Sequence, residues 1–208
     1  MKIQSTNSFF TSDLHFFHGN IIDFCERPFS SSQEMYEVLI SNFNEVVPED
    51  GETFILGDFG MVSSVEKIQT ILSKMNGKKH LILGNHDYQN KINRPVVREL
   101  FFSVNDILDL RVLDDEMDDK EQRLFLCHYP MNSWAGSGNG SWNLFGHIHS
   151  KPYNYDPQFN PRTLDVGVDA HNYYPISYQR VKELITKQCL VRQRRDGMTE
   201  EEINNLIK

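Results

Sequence analysis

Apolar residues recur along this chain with two periods. Short runs dense in β-branched and aromatic residues predict strands at Ser8 to Ser12, Thr53 to Leu56, His80 to Leu83, Leu124 to Cys127, Trp142 to Phe145 and Leu164 to Val168. Elsewhere the spacing lengthens to three and four. Gln33 to Val47 sets Met35, Leu39, Phe43 and Val46 on one face, and Val65 to Met75 does the same with Val65, Ile68, Leu72 and Met75. Both starts carry a capping-box pair, Ser31 with Glu34 and Ser63 with Glu66, and Gly77 stands where a glycine closes the second helix. Two further helices are predicted over Tyr178 to Lys187 and Thr199 to Ile207, the last opened by Thr199 with Glu202. No repeat or linker interrupts this alternation, so the pattern predicts an α/β fold with residues 1–208 as one domain.

Composition narrows the class. With 39% apolar and 24% charged residues the chain can build a core, which excludes a disordered or fibrous protein. No apolar run reaches the roughly 18 residues of a membrane span, and the first residues contain no signal-like segment, so a soluble, cytoplasmic protein is expected. Three cysteines, Cys25, Cys127 and Cys189, fit neither a disulfide framework nor a thiolate metal site. A net charge of -8 argues against a protein that grips extended nucleic acid through many phosphate contacts. Much of the excess lies between Val104 and Glu121, where eight carboxylates face two cations, a composition expected of a solvated hairpin tip.

The chemistry collects at the strand ends. Asp13-Leu14-His15 follows the first predicted strand, Gly57-Asp58 the second, Gly84-Asn85-His86-Asp87 the third, His128 the fourth and Gly146-His147-Ile148-His149 the fifth. The C-terminal edge is where α/β sheets place their sites. In extended backbone Asp13 and His15 would point the same way, as would His147 and His149. Asp13, His15, Asp58, Asn85, His128, His147 and His149 form a nitrogen and oxygen donor set too large for one tetrahedral ion. With Asp58 as a shared carboxylate it divides into two four-ligand sites. Such donors suit manganese, taken as the first choice, and also iron, zinc or nickel.

These five segments, in this order over residues 13 to 149, resemble the signature motifs of the calcineurin-like metallophosphoesterases. The resemblance implies a four-layer α-β-β-α sandwich with mixed sheets and a dinuclear centre at one edge. It also implies that Asp13, His15 and His149 hold one ion, that Asn85, His128 and His147 hold the other, and that Asp58 bridges both. The run Asp13 to Ile22, with Arg27-Pro28-Phe29 behind it, is similar to a small bacterial and phage branch of the family. The phosphoprotein phosphatases of the family carry an Asp-Arg-Gly segment after the second motif and an arginine before the third. Here Phe59-Gly60-Met61-Val62 follows Asp58, and Leu83 precedes Gly84. Both phosphate-gripping arginines are absent, and Met61 stands where many members carry a carboxylate that orients the active-site histidine.

The expected activity is therefore hydrolysis of a small phosphodiester or nucleotide-like phosphoester, with two divalent ions activating water between them. His86 is the candidate to protonate the leaving oxygen, with Asp87 as a candidate to orient it. His18, Asn20 and Arg27 are candidate substrate contacts. A nuclease, a phosphomonoesterase or phosphoprotein phosphatase, and a non-catalytic binding protein on the same fold are the alternatives. Lys78, Lys79, Asp165 and Asp169 are expected in solvent, His80 and His171 in structural roles, and Cys127 in packing. The Gly- and Ser-rich loop from Asn132 to Trp142 is a candidate specificity loop, with Trp134 expected to pack on its own framework.

Overall fold

The computed structural model describes residues 1–90, 92–116, 120–150 and 160–195. Among the described residues ten strands form two five-stranded sheets. Lys2–Gln4 (β1), Ile107–Leu113 (β6), Glu121–Cys127 (β7), Trp142–Phe145 (β8) and Thr163–Asp165 (β9) make one sheet, in the order β1-β6-β7-β8-β9. Ser8–Thr11 (β2), Glu52–Ile55 (β3), Lys78–Ile82 (β4), Ser103–Asn105 (β5) and Ile176–Ser177 (β10) make the other, in the order β10-β2-β3-β4-β5. Both sheets are mixed: β6 with β7 and β10 with β2 run antiparallel, and the remaining pairs are parallel. The parallel strands β2, β3 and β4, and β7 and β8, bring their C-terminal ends to one edge.

Strand alternation divides the interior into two cores. In β2, Phe9 faces one core and Phe10 the other, and Ile55 and Phe54 divide in the same way. Phe9, Ile55 and Leu81 pack under the helices Asn20–Phe24 (α1), Ser32–Val46 (α2), Val65–Lys74 (α3) and Pro95–Arg98 (α5). Phe10, Phe54 and Ile82 meet Leu110, Leu124, Leu126 and Leu144 between the sheets. The long helix Tyr178–Arg195 (α6) adds Tyr178, Val181 and Ile185 to this second core and lies against β2, β9 and β10. The short helix Asn85–Gln89 (α4) leads out of β4 at the shared edge.

Ser31 caps α2, taking the Glu34 N–H at 3.1 Å, and Glu34 returns its carboxylate to the Ser30 N–H at 2.6 Å. At α3 the cap falls one residue later than the pattern predicts. Ser64, not Ser63, accepts the Lys67 N–H, because the helix turns Ile68, Ile71 and Leu72 inward while Val65 is only half-buried. α6 runs past Lys187 to Arg195, and the helix expected over Thr199 to Ile207 lies outside the described residues. The acidic stretch forms the β6–β7 hairpin, but Asp114 is not solvated: it is buried and accepts from Tyr178 Oη and Lys182 Nζ, each at 2.9 Å. Lys79 is likewise tied down, donating to the carbonyls of Met75 and Gly77 behind α3. Among the described residues no helix is long and apolar enough to cross a membrane.

Candidate metal centre

The edge that collects the strand ends is built from loops in an uncommon backbone conformation. Asp13, His15, Asp58, His147 and His149 have φ of 58°, 48°, 53°, 72° and 48°. The two-pronged geometry expected from extended chain is therefore absent, and left-handed turns aim these side chains. A non-glycine residue held there costs on the order of 1 kcal/mol or more, and such strain persists only where the surroundings over-determine it. The surroundings do so here. The Asp13 N–H donates to Gly57 O at 3.1 Å and the His15 N–H to Asp58 O at 2.9 Å, lacing the first loop to the second. Buried Asp87 then binds three backbone N–H groups, of Asp58, Phe59 and Gly84, at 2.8–2.9 Å, and so ties the second loop to the third. This is the role of Asp87, which does not orient His86 as the sequence suggested. Gly146 is required by close approach: a Cβ there would collide with Ser12 Oγ and Asp13 Oδ2.

Two groups of ligating atoms result. Those of Asp13, His15 and His149 lie within 4.8 Å of one another, as do those of Asp58, His128 and His147. Asp58 Oδ2 stands between them, 3.6 Å from His15 Nε2 and 3.5 Å from His128 Nε2. Its Oδ1 accepts the His86 N–H at 2.9 Å. Asn85 Oδ1 joins the second group, 3.2 Å from His128 Nε2.

The unsatisfied atoms suit a cation. Asp13 Oδ2 accepts the His147 N–H at 2.9 Å, but Oδ1 is buried without a partner, as is His15 Nε2. These two lie 4.0 Å apart, and His149 Nε2 is 3.8 Å from the same oxygen. His128 Nδ1 is 2.7 Å from Leu56 O and must donate to it, which leaves the Nε2 lone pair of the neutral ring facing Asn85 Oδ1. Lone pairs converging out of water are costly unless a positive charge sits among them.

The carboxylates also shift the proton affinities of the histidines around them. Burial pulls the His128 imidazole down, but the hydrogen bond and charge of Asp58 and the charge of Asp13 outweigh it and hold it at about 9. Burial likewise opposes charge on His149, and Asp169, Cys25 and Asp13 lift it to about 10. Burial would raise Asp58, yet the hydrogen bond and charge of His128 bring it down to about 2. At His15 burial, with the nearby charges of His149 and Arg27 acting in the same sense, outweighs Asp58 and brings the imidazole down to about 2.

Of the remaining candidates, His86 lies half-buried beside this centre, with its ring centroid 5.1 Å from that of His15 and its Nδ1 unpartnered. Its ligating atoms also fall within 4.8 Å of those of His15 and Asp58. His18 is half-buried, its Nδ1 3.1 Å from His15 Nδ1 and its ring 5.6 Å from that of His86. Asn20 is exposed at the start of α1. Arg27 is not available to a substrate. It is 4% exposed, with Nε and Nη2 bound to Asp169 at 2.8 Å and Nη2 also donating to Asp13 O at 2.8 Å.

Asp165 and Asp169 are not solvated either. Asp165 accepts from the Gly167 N–H at 2.8 Å and is pushed up to about 6 by burial, and Asp169 Oδ2 is 2.7 Å from His149 Nδ1. The signal for Asp169 was its place just beyond the C-terminal end of β9, at the same edge as the other site residues. Sequence reasoning also left out Tyr129, an exposed ring whose centroid lies 5.0 Å from that of His128 and 4.7 Å from that of His147. Trp134 packs within its own loop, its Nε1 donating to Ser141 Oγ at 2.9 Å, as expected.

The comparisons with known proteins agree with this geometry. A protein from Methanocaldococcus jannaschii, MJ1445, is 31% identical over 184 residues, 87% of this chain and 92% of that one. The Gene 66 protein of Mycobacterium phage L5 is 27% identical over 79% of this chain and 87% of its own length. Among solved structures, the Aquifex aeolicus protein AQ665 shares the fold with a TM-score of 0.63 and 22% identity, over 85% of this chain and 98% of that one. The calcineurin-like phosphoesterase model matches residues 8–171, which take in every strand end described above, and the chain belongs to this family of metal-dependent phosphoester hydrolases.

Proposed function

We propose that the chain is a dinuclear phosphodiesterase acting on small phosphodiesters or nucleotide-like phosphoesters. The observation that carries this reading is the position of Asp58 Oδ2, nearly equidistant at 3.6 and 3.5 Å from a histidine nitrogen of each ligand group. In this reading Asp13, His15 and His149 hold one ion, Asn85, His128 and His147 the other, and Asp58 both. The ions, manganese as first choice, would lower the pKa of a water and neutralise phosphoryl oxygens.

The protein side chains supply the rest. His86 is anchored by its backbone N–H to Asp58 Oδ1, which keeps the residue beside the ligands, and its imidazole delivers a proton to the leaving oxygen. His18, half-buried next to His86, contacts the substrate, and Asn20 on the first turn of α1 flanks the approach. The preference for diesters rests on charge. A monoester dianion needs more cationic contacts than a diester, and the guanidinium of Arg27 is committed to Asp169 and to backbone carbonyls. Residues 1–208 are read as one cytoplasmic domain whose partner is a small phosphoester rather than extended nucleic acid.

The test is a panel of mono- and diesters, including phosphoserine peptides, assayed with metal-reconstituted protein. The reading predicts the highest kcat/KM on a diester. A higher value on phosphopeptides than on every diester would replace it with a phosphoprotein phosphatase.

A further inference from the structure

We propose that Asp169 and Arg27 are positioning residues that build the Asp13–His15–His149 half of the centre, whereas in the other half His128 is oriented by a backbone carbonyl. This rests on the dinuclear reading above and adds two residues to it. His149 Nδ1 lies 2.7 Å from Asp169 Oδ2, so the ring donates to this carboxylate and its Nε2 lone pair is turned toward Asp13. A carboxylate behind a ligating imidazole fixes its tautomer and raises its basicity. Asp169 is itself held by a two-point contact: Arg27 Nε meets Oδ1 and Nη2 meets Oδ2, both at 2.8 Å, with the Arg27 side chain fully buried and that of Asp169 7% exposed.

The same guanidinium reaches the other ligands of this half. Nη2 donates to Asp13 O at 2.8 Å and Nη1 to Leu14 O at 3.4 Å, gripping the segment whose residues Asp13 and His15 are left-handed. A backbone bond from the Val168 N–H to Ser12 O at 3.0 Å docks the Asp169 turn on that loop. Arg27 thus joins Asp169, 142 positions away, to both strained ligand segments. The pair is neutral as a unit, so it acts through geometry and through the tautomer of His149. In the second half, among the described residues, no carboxylate stands behind His128 in this way, and its Nδ1 donates to the Leu56 carbonyl at 2.7 Å. The two halves should therefore respond unequally to loss of Asp169.

The experiment titrates the metal-stripped full-length protein with Mn²⁺ alone, by calorimetry, for wild type, Asp169→Asn and the double variant Arg27→Gln with Asp169→Asn. The double variant removes both buried charges and keeps hydrogen-bonding side chains, so neither charge is left unpaired. The expected result is that one of the two ions binds about 10–100-fold more weakly in each variant while the other is unchanged. A purely structural pair would instead lower the melting temperature and weaken both ions alike, and that result overturns the proposal, as does unchanged binding of both ions. If wild type takes up no second ion, the dinuclear reading fails first. A measurement on wild type stands independently of variant folding: in the Zn²⁺-loaded protein, long-range ¹H–¹⁵N spectra should place the His149 proton on Nδ1. A proton on Nε2 overturns the assignment.

Discussion

Replacing Asp87 with alanine should loosen the metal centre without touching a ligand. Its carboxylate accepts the N–H groups of Asp58, Phe59 and Gly84 at 2.8–2.9 Å, and the residue is fully buried. Each buried donor left unpaired costs about 1–3 kcal/mol. Relief of the carboxylate's own burial, which already pushes its pKa up to about 7, offsets part of the sum. A net loss of about 3 kcal/mol is expected, close to one such donor at full cost. For a chain of this size that corresponds to a fall of about 6–12 °C in melting temperature. The assay is thermal unfolding of the metal-free protein, followed by Mn²⁺ binding at a temperature where the variant is folded. Because the bonds join the Asp58 loop to the Gly84–Asn85 turn, Mn²⁺ affinity should fall together with stability. A variant that melts within about 2 °C of wild type would show that these contacts contribute less than 1 kcal/mol and would refute the reasoning.

Three further outcomes follow from the same geometry. His86→Asn should retain its metal but lose about 10²–10⁴-fold in rate, most for esters with poorly acidic leaving groups. Metal loss would make His86 a ligand, and an equal loss across the leaving-group series would remove it as the acid. Gly146→Ala, whose Cβ meets Ser12 Oγ and Asp13 Oδ2, should displace Asp13 and lower metal affinity and activity together; normal metal binding would contradict the close packing. At Asp114 burial favours the neutral acid, but Lys182 and Tyr178 overcome it and lower the pKa, so the contribution is complete above the ordinary carboxylate pKa of about 4 and disappears as the pH falls through the lowered value. Asp114→Asn should thus cost about 1–3 kcal/mol at pH 7, the worth of a charged hydrogen bond, with the gap from wild type closing in acid. A gap independent of pH would assign the effect to packing.

Much of the candidate centre was legible because a ligating side chain at a strand end needs only two facts, the type of residue and its place after an apolar run. Asp58, Asn85 and His128 are found on that basis, and the fold brings them to one edge. The backbone of the centre could not be read in this way: the left-handed turns at Asp13, His15, His147 and His149 come from packing between loops far apart in sequence, not from local propensity. The same distance hid the ion pair of Arg27 and Asp169. From its place behind the first motif Arg27 reads as a candidate substrate contact, and only the docking of the turn after β9 removes it from solvent.

In the fold, β6 has no strand-like apolar run because Asp109 and Arg111 break it, and they do so on the face where they pair with Arg123 and Glu121 of β7. β1, β5 and β10, each three residues or fewer, are too short for a period to show. Cys127 is buried beside His128, as its place in an apolar run implied.

The claim that Asp58 joins two ions into one working centre is tested most directly by counting bound Mn²⁺ while following hydrolysis of bis(4-nitrophenyl) phosphate during titration of the metal-stripped protein. The account predicts that the rate rises to its maximum only as occupancy approaches about two ions per chain, and that Asp58→Asn weakens the binding of both. Full activity at one ion per chain, or hydrolysis that survives removal of all metal, would contradict it.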